Sequence, residues 1–287
     1  MVKITSNIIW KSEYFTDQLD SICVIDKKYT DKIKDVVLVT AKSSNSVREF
    51  DLSNGKFIKS WIDKWSKPNG IANWENCVGI VERDGKYVKL YDYTSKKLLF
   101  CWGEKILEKP YGITMGLIDG YVYVIITDDG PSKSVYKLRC SIELINGIYI
   151  LKLVDVNKII SFDRRTKLES VYLDTKLKQI LIADESKYLI YNFDFVTNKL
   201  LDLVGHKYFS NETEGISKYK DYYICTQQSK TDNRFYFFNE EFDLVYEIKD
   251  NTNISNTDGI CVFNNYLIVI NRDSQVVGIK LEIIGSN

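Results

Sequence analysis

Six positions in the chain combine an oxygen-bearing side chain with a small residue directly after it. The small residues are Ser21, Gly70, Gly112, Ser170, Gly215 and Gly259, at intervals of 42 to 58 positions. The side chains before them are four carboxylates, an amide and a phenol: Asp20, Asn69, Tyr111, Glu169, Glu214 and Asp258. Such hard oxygen ligands suit Ca²⁺, which accepts six to eight oxygens, better than Zn²⁺, which prefers histidine and cysteine.

Carboxylates that meet in one place repel one another, and a desolvated charge costs several kcal/mol unless it is paired. If these side chains converge, some must be protonated or a cation must hold them. His206, the only histidine, falls in the loop-like stretch LVGHKYF and is expected at the surface, so a Ser/His/Asp triad is not expected.

A second set of polar residues follows the second strand-like run of each unit. Its members are Lys42, Arg83, Asp128 with Asp129, Asp184 with Glu185, Gln227 with Gln228, and Arg272 with Asp273. Cations beside an acidic metal site suit a phosphate ligand, because lysine and arginine pair its oxygens while Ca²⁺ bridges them. Ion pairs on the rim of the fold are the alternative interpretation.

The elements that must position these residues repeat with the motif. After TEGISKY come YYICTQQ, RFYFFNEEF and LVYEIKD, and comparable runs follow the other motifs. Short runs with period-two alternation, separated by NG, DG, SN and KD turns, indicate antiparallel strands, so each unit predicts a four-stranded meander. A radial array of six such meanders is a six-bladed β-propeller, in which the first strand of each blade lines the central channel.

The two ends of the chain are complementary. The last unit stops after its third strand, and a spare strand-like run, SNIIWKS, precedes the first motif at residues 6 to 12. We expect this N-terminal strand to complete the last blade and close the ring, which removes two open sheet edges. The fold class is therefore all-β, with residues 1–287 forming a single propeller domain; a solenoid or a pair of sandwiches explains the repeat less well.

Composition excludes several classes of protein. The 39 basic residues balance the 39 acidic ones, so a nucleic-acid footprint or a polybasic membrane anchor is not expected. No apolar run approaches the length of a membrane span or a signal peptide, which favours a cytoplasmic protein or a chain whose leader has been removed. The 6 cysteines form no CxxC pair and are expected as buried free thiols. A closed ring favours a monomer.

Seven segments, in this order, resemble the β-propeller phytases, six-bladed calcium-dependent phosphatases that act on myo-inositol hexakisphosphate (phytate). They are TAKSSNSVREFDLSNGK, KPNGIANW, GIVERDGKYVKLYDY, KPYGITM, LESVYLDTKLKQILIADES, ETEGISKY and NTDGICVF. The resemblance implies that several calcium ions are held at the catalytic face by Tyr111, Glu169, Glu185 and Glu214, with Asp20 and Asp258 in the same cluster. It implies phosphate binding by Lys42, Arg83 and Lys67.

The chemistry implied by the resemblance needs no protein nucleophile, because calcium ions activate a water, position the phosphate and neutralise developing charge. Four positions depart from the family pattern. Leu19 replaces one of two paired aspartates, Asp129 stands where a lysine facing the substrate is expected, Ser170 replaces a glycine and Gly70 an asparagine.

Three functions therefore remain open. The first is a Ca²⁺-dependent phosphomonoesterase acting on phytate or a related polyphosphorylated small molecule. The second is a catalytically weakened or inactive propeller that binds a phosphorylated ligand or a protein partner, which the changes at Leu19 and Asp129 would favour. The third, a calcium-dependent lactonase with a single metal held by Glu and Asn, has clear support only from Asn69.

Overall fold

The computed structural model describes residues 3–30, 34–62, 65–205, 207–228, 234–249, 254, 257–271 and 275–284. Three residues discussed above lie outside the described residues: His206, Arg272 and Asp273. Among the described residues, regular structure other than strand is limited to one short 3₁₀ turn at Lys27–Tyr29. No helix in these ranges has the length and apolar character needed to cross a membrane.

Twenty-four strands in the described ranges form six antiparallel sheets of four. The chain enters through β1 (Lys3–Lys11). The first blade contains β2 (Leu19–Ile25), β3 (Val36–Ala41), β4 (Ser46–Asp51) and β5 (Phe57–Ile62). The second contains β6 (Pro68–Trp74), β7 (Cys77–Glu82), β8 (Tyr87–Asp92) and β9 (Leu98–Trp102). The third contains β10 (Pro110–Ile118), β11 (Tyr121–Asp128), β12 (Ser134–Ile145) and β13 (Ile148–Ser161).

The remaining three blades follow the same plan. The fourth contains β14 (Leu168–Asp174), β15 (Gln179–Asp184), β16 (Leu189–Asp194) and β17 (Leu200–Val204). The fifth contains β18 (Thr213–Tyr219), β19 (Tyr222–Gln227), β20 (Arg234–Phe238) and β21 (Leu244–Lys249). The sixth contains β22 (Thr257–Phe263), β23 (Tyr266–Asn271) and β24 (Gln275–Ile284).

The sixth blade takes its fourth strand from the other end of the chain. β1 pairs antiparallel with β24, with Ser6 opposite Leu281 and Ile4 opposite Ile283. The innermost strands β2, β6, β10, β14, β18 and β22 contact one another in sequence, and β22 contacts β2. The protein is therefore a six-bladed β-propeller closed by its N-terminal strand, as the sequence predicts.

Apolar residues between neighbouring sheets form the core. Side chains alternate faces along a strand, so Val37 and Val39 of β3 pack toward the sixth blade while Val36 and Leu38 pack toward the second. The same arrangement produces a buried cluster between every pair of neighbouring blades in the described ranges. Full burial of each such side chain stabilises the fold by about 1.5–3 kcal/mol. All six cysteines are free thiols, and four of them are buried.

Candidate functional site

Each innermost strand contains a β-bulge at the same point. In the pairing of β2 with β3, Leu19 lies opposite Ala41 and Ile22 opposite Val39, so Asp20 and Ser21 together face one residue. The other five innermost strands show the same interruption. Bulges re-aim a side chain and often occur beside active sites. The repeated pair of an oxygen-bearing residue and a small residue is thus the sequence of this bulge.

The small residue of the bulge lies against the backbone of the next blade. A Cβ added at Gly112 would sit 2.4 Å from the carbonyl oxygen of Glu169, and one at Gly70 would sit 2.5 Å from that of Tyr111. Ser21 uses its side chain for the same contact, because its Oγ accepts a hydrogen bond from the Ile71 N–H at 3.2 Å. The predicted crowding at the axis is therefore present.

Threonines opposite the bulges fix the backbone at alternate blades. The Oγ1 of Thr127 accepts a hydrogen bond from the Gly112 N–H at 2.8 Å and donates one to the Glu169 carbonyl at 2.9 Å. Thr40 does the same in the first blade, and Thr226 accepts from Gly215 in the fifth. The second, fourth and sixth blades have Val81, Ala183 and Ile270 at this position.

The six bulge residues predicted to converge line one cavity of about 250 Å³ along the channel. Two of the six, Tyr111 and Asp258, are half-buried, and the other four are buried: Asp20, Asn69, Glu169 and Glu214. The Oδ1 of Asn69 has no hydrogen-bond partner. A buried acceptor without a donor is costly, and it marks a position where a cation or a water would be bound.

A second ring surrounds the first at the mouth of the channel. In the first five blades it is formed by the residue two positions before the bulge residue, whose carbonyl accepts a hydrogen bond from the backbone N–H of the residue just after the second strand. In chain order these pairs are Gln18 with Lys42, Lys67 with Arg83, Lys109 with Asp129, Lys167 with Glu185, and Glu212 with Gln228. Of these residues, Lys67 was predicted from the sequence. Three others were not, although each also stands two positions before a bulge residue: Lys109, Lys167 and Glu212.

The fourth and fifth blades make the acidic side of this mouth. One oxygen from each of Glu185, Glu212 and Glu214 lies within 4.8 Å of the others, and Glu212 is half-buried while its partners are buried. Lys167 Nζ forms an ion pair with Glu185 Oε2 and lies 3.6 Å from Glu169 Oε1. An ammonium group therefore already occupies part of a carboxylate cluster that has the ligand type preferred by Ca²⁺.

Close packing of these acids shifts their pKa values in opposite directions. Burial, followed by the charge of Glu214 and a hydrogen bond with Glu185, raises the pKa of Glu169 well above its usual range. Burial and the charges of Asp258 and Glu185 raise the pKa of Glu214 in the same way. Burial alone would raise the pKa of Glu185, but hydrogen bonds from Glu169 and Lys167 lower it. Glu169 therefore holds a proton more strongly than Glu185 does.

The first three blades make the basic side, around the ring of Tyr111. Lys42 Nζ, Arg83 Cζ and Lys109 Nζ lie 5.3, 5.6 and 5.8 Å from the centre of that ring. Lys42 also forms an ion pair with Asp20. Burial, then the charges of Glu169 and Asp20, raise the pKa of Tyr111 far above its usual value, so its phenol stays protonated.

Asp129 does not face the site as an uncompensated charge. Its carboxylate is 3 % exposed, pairs with Lys109 at 2.8 Å and Lys133 at 2.6 Å, and accepts a hydrogen bond from the Leu168 N–H at 2.9 Å. Two lysines therefore neutralise the Asp129 carboxylate, and one of them, Lys109, reaches the ring of Tyr111. Leu19 is fully buried in the core between the sixth and first blades.

Other polar residues at the ends of the second strands close loops. Asp128 accepts hydrogen bonds from the Glu108 and Lys109 N–H groups, and Asp184 accepts from Lys167. Lys67, for which the resemblance implies phosphate binding, forms an exposed ion pair with Asp84 at 2.7 Å.

Comparisons with known proteins bear on the fold. No protein-family model matches the chain, and no curated protein matches it. Among solved structures, it is similar to the crystal structure of the computationally designed Ika8 protein, with a TM-score of 0.54 and 10 % identity over 95 % of this chain and 99 % of that one. A similarity at this identity supports the propeller architecture and does not extend to function.

Proposed function

We propose that the protein is a Ca²⁺-dependent phosphomonoesterase that hydrolyses phytate or a related polyphosphorylated small molecule. The observation that carries the proposal is the division of one channel mouth into an acidic and a basic side. The cluster of three carboxylates fits a hard divalent cation, and the three cations around Tyr111 fit the phosphate that such a cation would bridge.

The residues divide into two roles. Glu169, Glu185 and Glu214, extended by Glu212 and Asp258, would hold calcium, which when bound supplies a more acidic water and positive charge for phosphoryl transfer. Lys42, Arg83 and Lys109 would bind the phosphate oxygens, and the protonated phenol of Tyr111 is a hydrogen-bond donor among them. Lys109 supplies the positive charge that the resemblance expects from a lysine at Asp129.

The test is phosphate release from phytate by chelator-treated protein, with and without added Ca²⁺. Glu214→Gln should lower the rate at least about 100-fold, a loss typical for removal of a group that stabilises transition-state charge. Glu143→Gln, in an exposed ion pair on the third blade, is the matched control and should behave like wild type. Phosphate release that persists undiminished in excess chelator would exclude the proposal.

A second candidate is a propeller that binds a phosphorylated ligand without hydrolysing it. It is favoured by the ion pairs of Lys42 with Asp20 and of Lys167 with Glu185, which neutralise part of the acidic set without a metal. Calorimetric titration with phytate in the presence of Ca²⁺ distinguishes the two. Tight binding with no phosphate released over hours would favour the binding protein over the enzyme.

A further inference from the structure

Lys167 is held at the acidic cluster by its backbone. Its N–H donates a hydrogen bond to Asp184 Oδ1 at 3.1 Å, and its carbonyl accepts one from the Glu185 N–H at 3.0 Å. It directly precedes β14, so its side chain starts two residues from Glu169. The backbone therefore fixes the start of the Lys167 side chain beside the cluster, within reach of its carboxylates.

The side chain of Lys167 is more exposed than Lys42 and Lys133, two nearby lysines that also pair with buried carboxylates. It contacts Glu185 and Glu169 yet remains 42 % exposed, whereas Lys42 in its pair with Asp20 is 10 % exposed and Lys133 in its pair with Asp129 is 14 % exposed. A buried ammonium cannot leave its carboxylate without a large desolvation cost, but a half-exposed one can move into water on its flexible stem.

We propose that Lys167 is a built-in counter-cation, which holds the carboxylate cluster together when no metal is bound and competes with a divalent cation for Glu185 and Glu169. The inference rests on the proposed function, since it names a regulator of the same metal site. It follows from charge: the cluster that attracts Ca²⁺ also attracts the ammonium, and both cannot neutralise the same oxygens.

The inference predicts two opposite effects of one substitution. In metal-free buffer, Lys167→Gln leaves the carboxylates without a counter-cation, so the Tm should fall by about 2 °C or more. In calcium titrations the same variant should bind about tenfold more tightly, because no ammonium has to be displaced. For the same reason, adding Ca²⁺ should raise the Tm of Lys167→Gln more than that of wild type.

The experiment uses the full chain, CaCl₂ as the probe, isothermal titration calorimetry and thermal unfolding. Lys167→Arg keeps the charge and should restore wild-type behaviour. Lys152→Gln removes a 60 % exposed lysine paired with Glu143 and should change neither measurement. Together these variants separate the charge at position 167 from a general loss of surface lysine.

The outcomes separate the two proposals. Equal calcium affinity in wild type and Lys167→Gln, or weaker affinity in the variant, would overturn the inference while leaving the phosphatase proposal standing. Tighter calcium binding by Lys167→Gln with no phosphate release from any variant would support the inference and overturn the phosphatase. Absence of calcium binding by all four proteins would overturn both.

Discussion

Thr127→Val tests how the channel wall positions the site. The substitution keeps the shape of the side chain, and valine already occupies the equivalent position as Val81. It removes the hydroxyl that accepts from Gly112 N–H at 2.8 Å and donates to the Glu169 carbonyl at 2.9 Å, both in buried surroundings. Each of the two polar groups left without a partner costs about 1–3 kcal/mol, so the free energy of unfolding should fall by about 2–6 kcal/mol.

This loss can be measured by urea unfolding and by a fall in Tm of about 4–8 °C. The control is Thr5→Val, whose hydroxyl makes one long, exposed contact of 3.4 Å and whose strand position suits valine. A loss below about 0.5 kcal/mol, the usual range for neutral surface changes, would show that the threonine does not hold the bulge of the next blade.

Two further predictions concern the buried acid Glu169 and Lys96, whose ammonium group lies over two aromatic rings. Because folding raises the pKa of Glu169 above its ordinary value, the contribution of Glu169 to stability is complete below about pH 4.5 and is lost as pH rises toward the folded pKa. The Tm of metal-free wild type, measured relative to Glu169→Gln at each pH, should therefore fall across this window, and a constant difference between the two proteins would contradict the prediction. Lys96 Nζ lies 3.6 Å from the ring centre of Trp61 and 3.4 Å from that of Tyr93. Lys96→Ala should therefore lower the free energy of unfolding in urea by about 1–3 kcal/mol. An unchanged urea midpoint would show that these contacts contribute little.

The fold could be predicted because the same pattern of strands and turns repeats in each unit of the sequence. Four strand-like runs per unit fix the blade, and the missing strand at one end matches the spare strand at the other. The bulge could not be predicted, because it depends on which residue of the second strand faces the motif, and register is a property of two strands together. The glycines were correctly attributed to crowding, but the bulge that causes the crowding was not recognised.

Residues of the candidate site could be predicted where similar side chains recur at one position of the repeat. The six channel residues share one position in the motif, so a ring of them follows from the fold. Lys109, Lys167 and Glu212 share another position, but they differ in charge and therefore do not look like a set. In the sequence, Asp129 replaces an expected positive charge with a negative one. The sequence does not show that Lys109 and Lys133 both pair with this carboxylate.

Among the described inner strands, serine and threonine hydroxyl groups form hydrogen bonds across every second boundary between neighbouring blades. Ser21, Thr114 and Ser217 accept backbone hydrogen bonds from the second, fourth and sixth blades. The boundary between the fourth and fifth blades is bridged differently, by the ion pair of Lys218 with Asp174 at 2.6 Å. The ring is therefore closed by two kinds of polar contact, and the boundary that contains the carboxylate cluster is one that depends on charge.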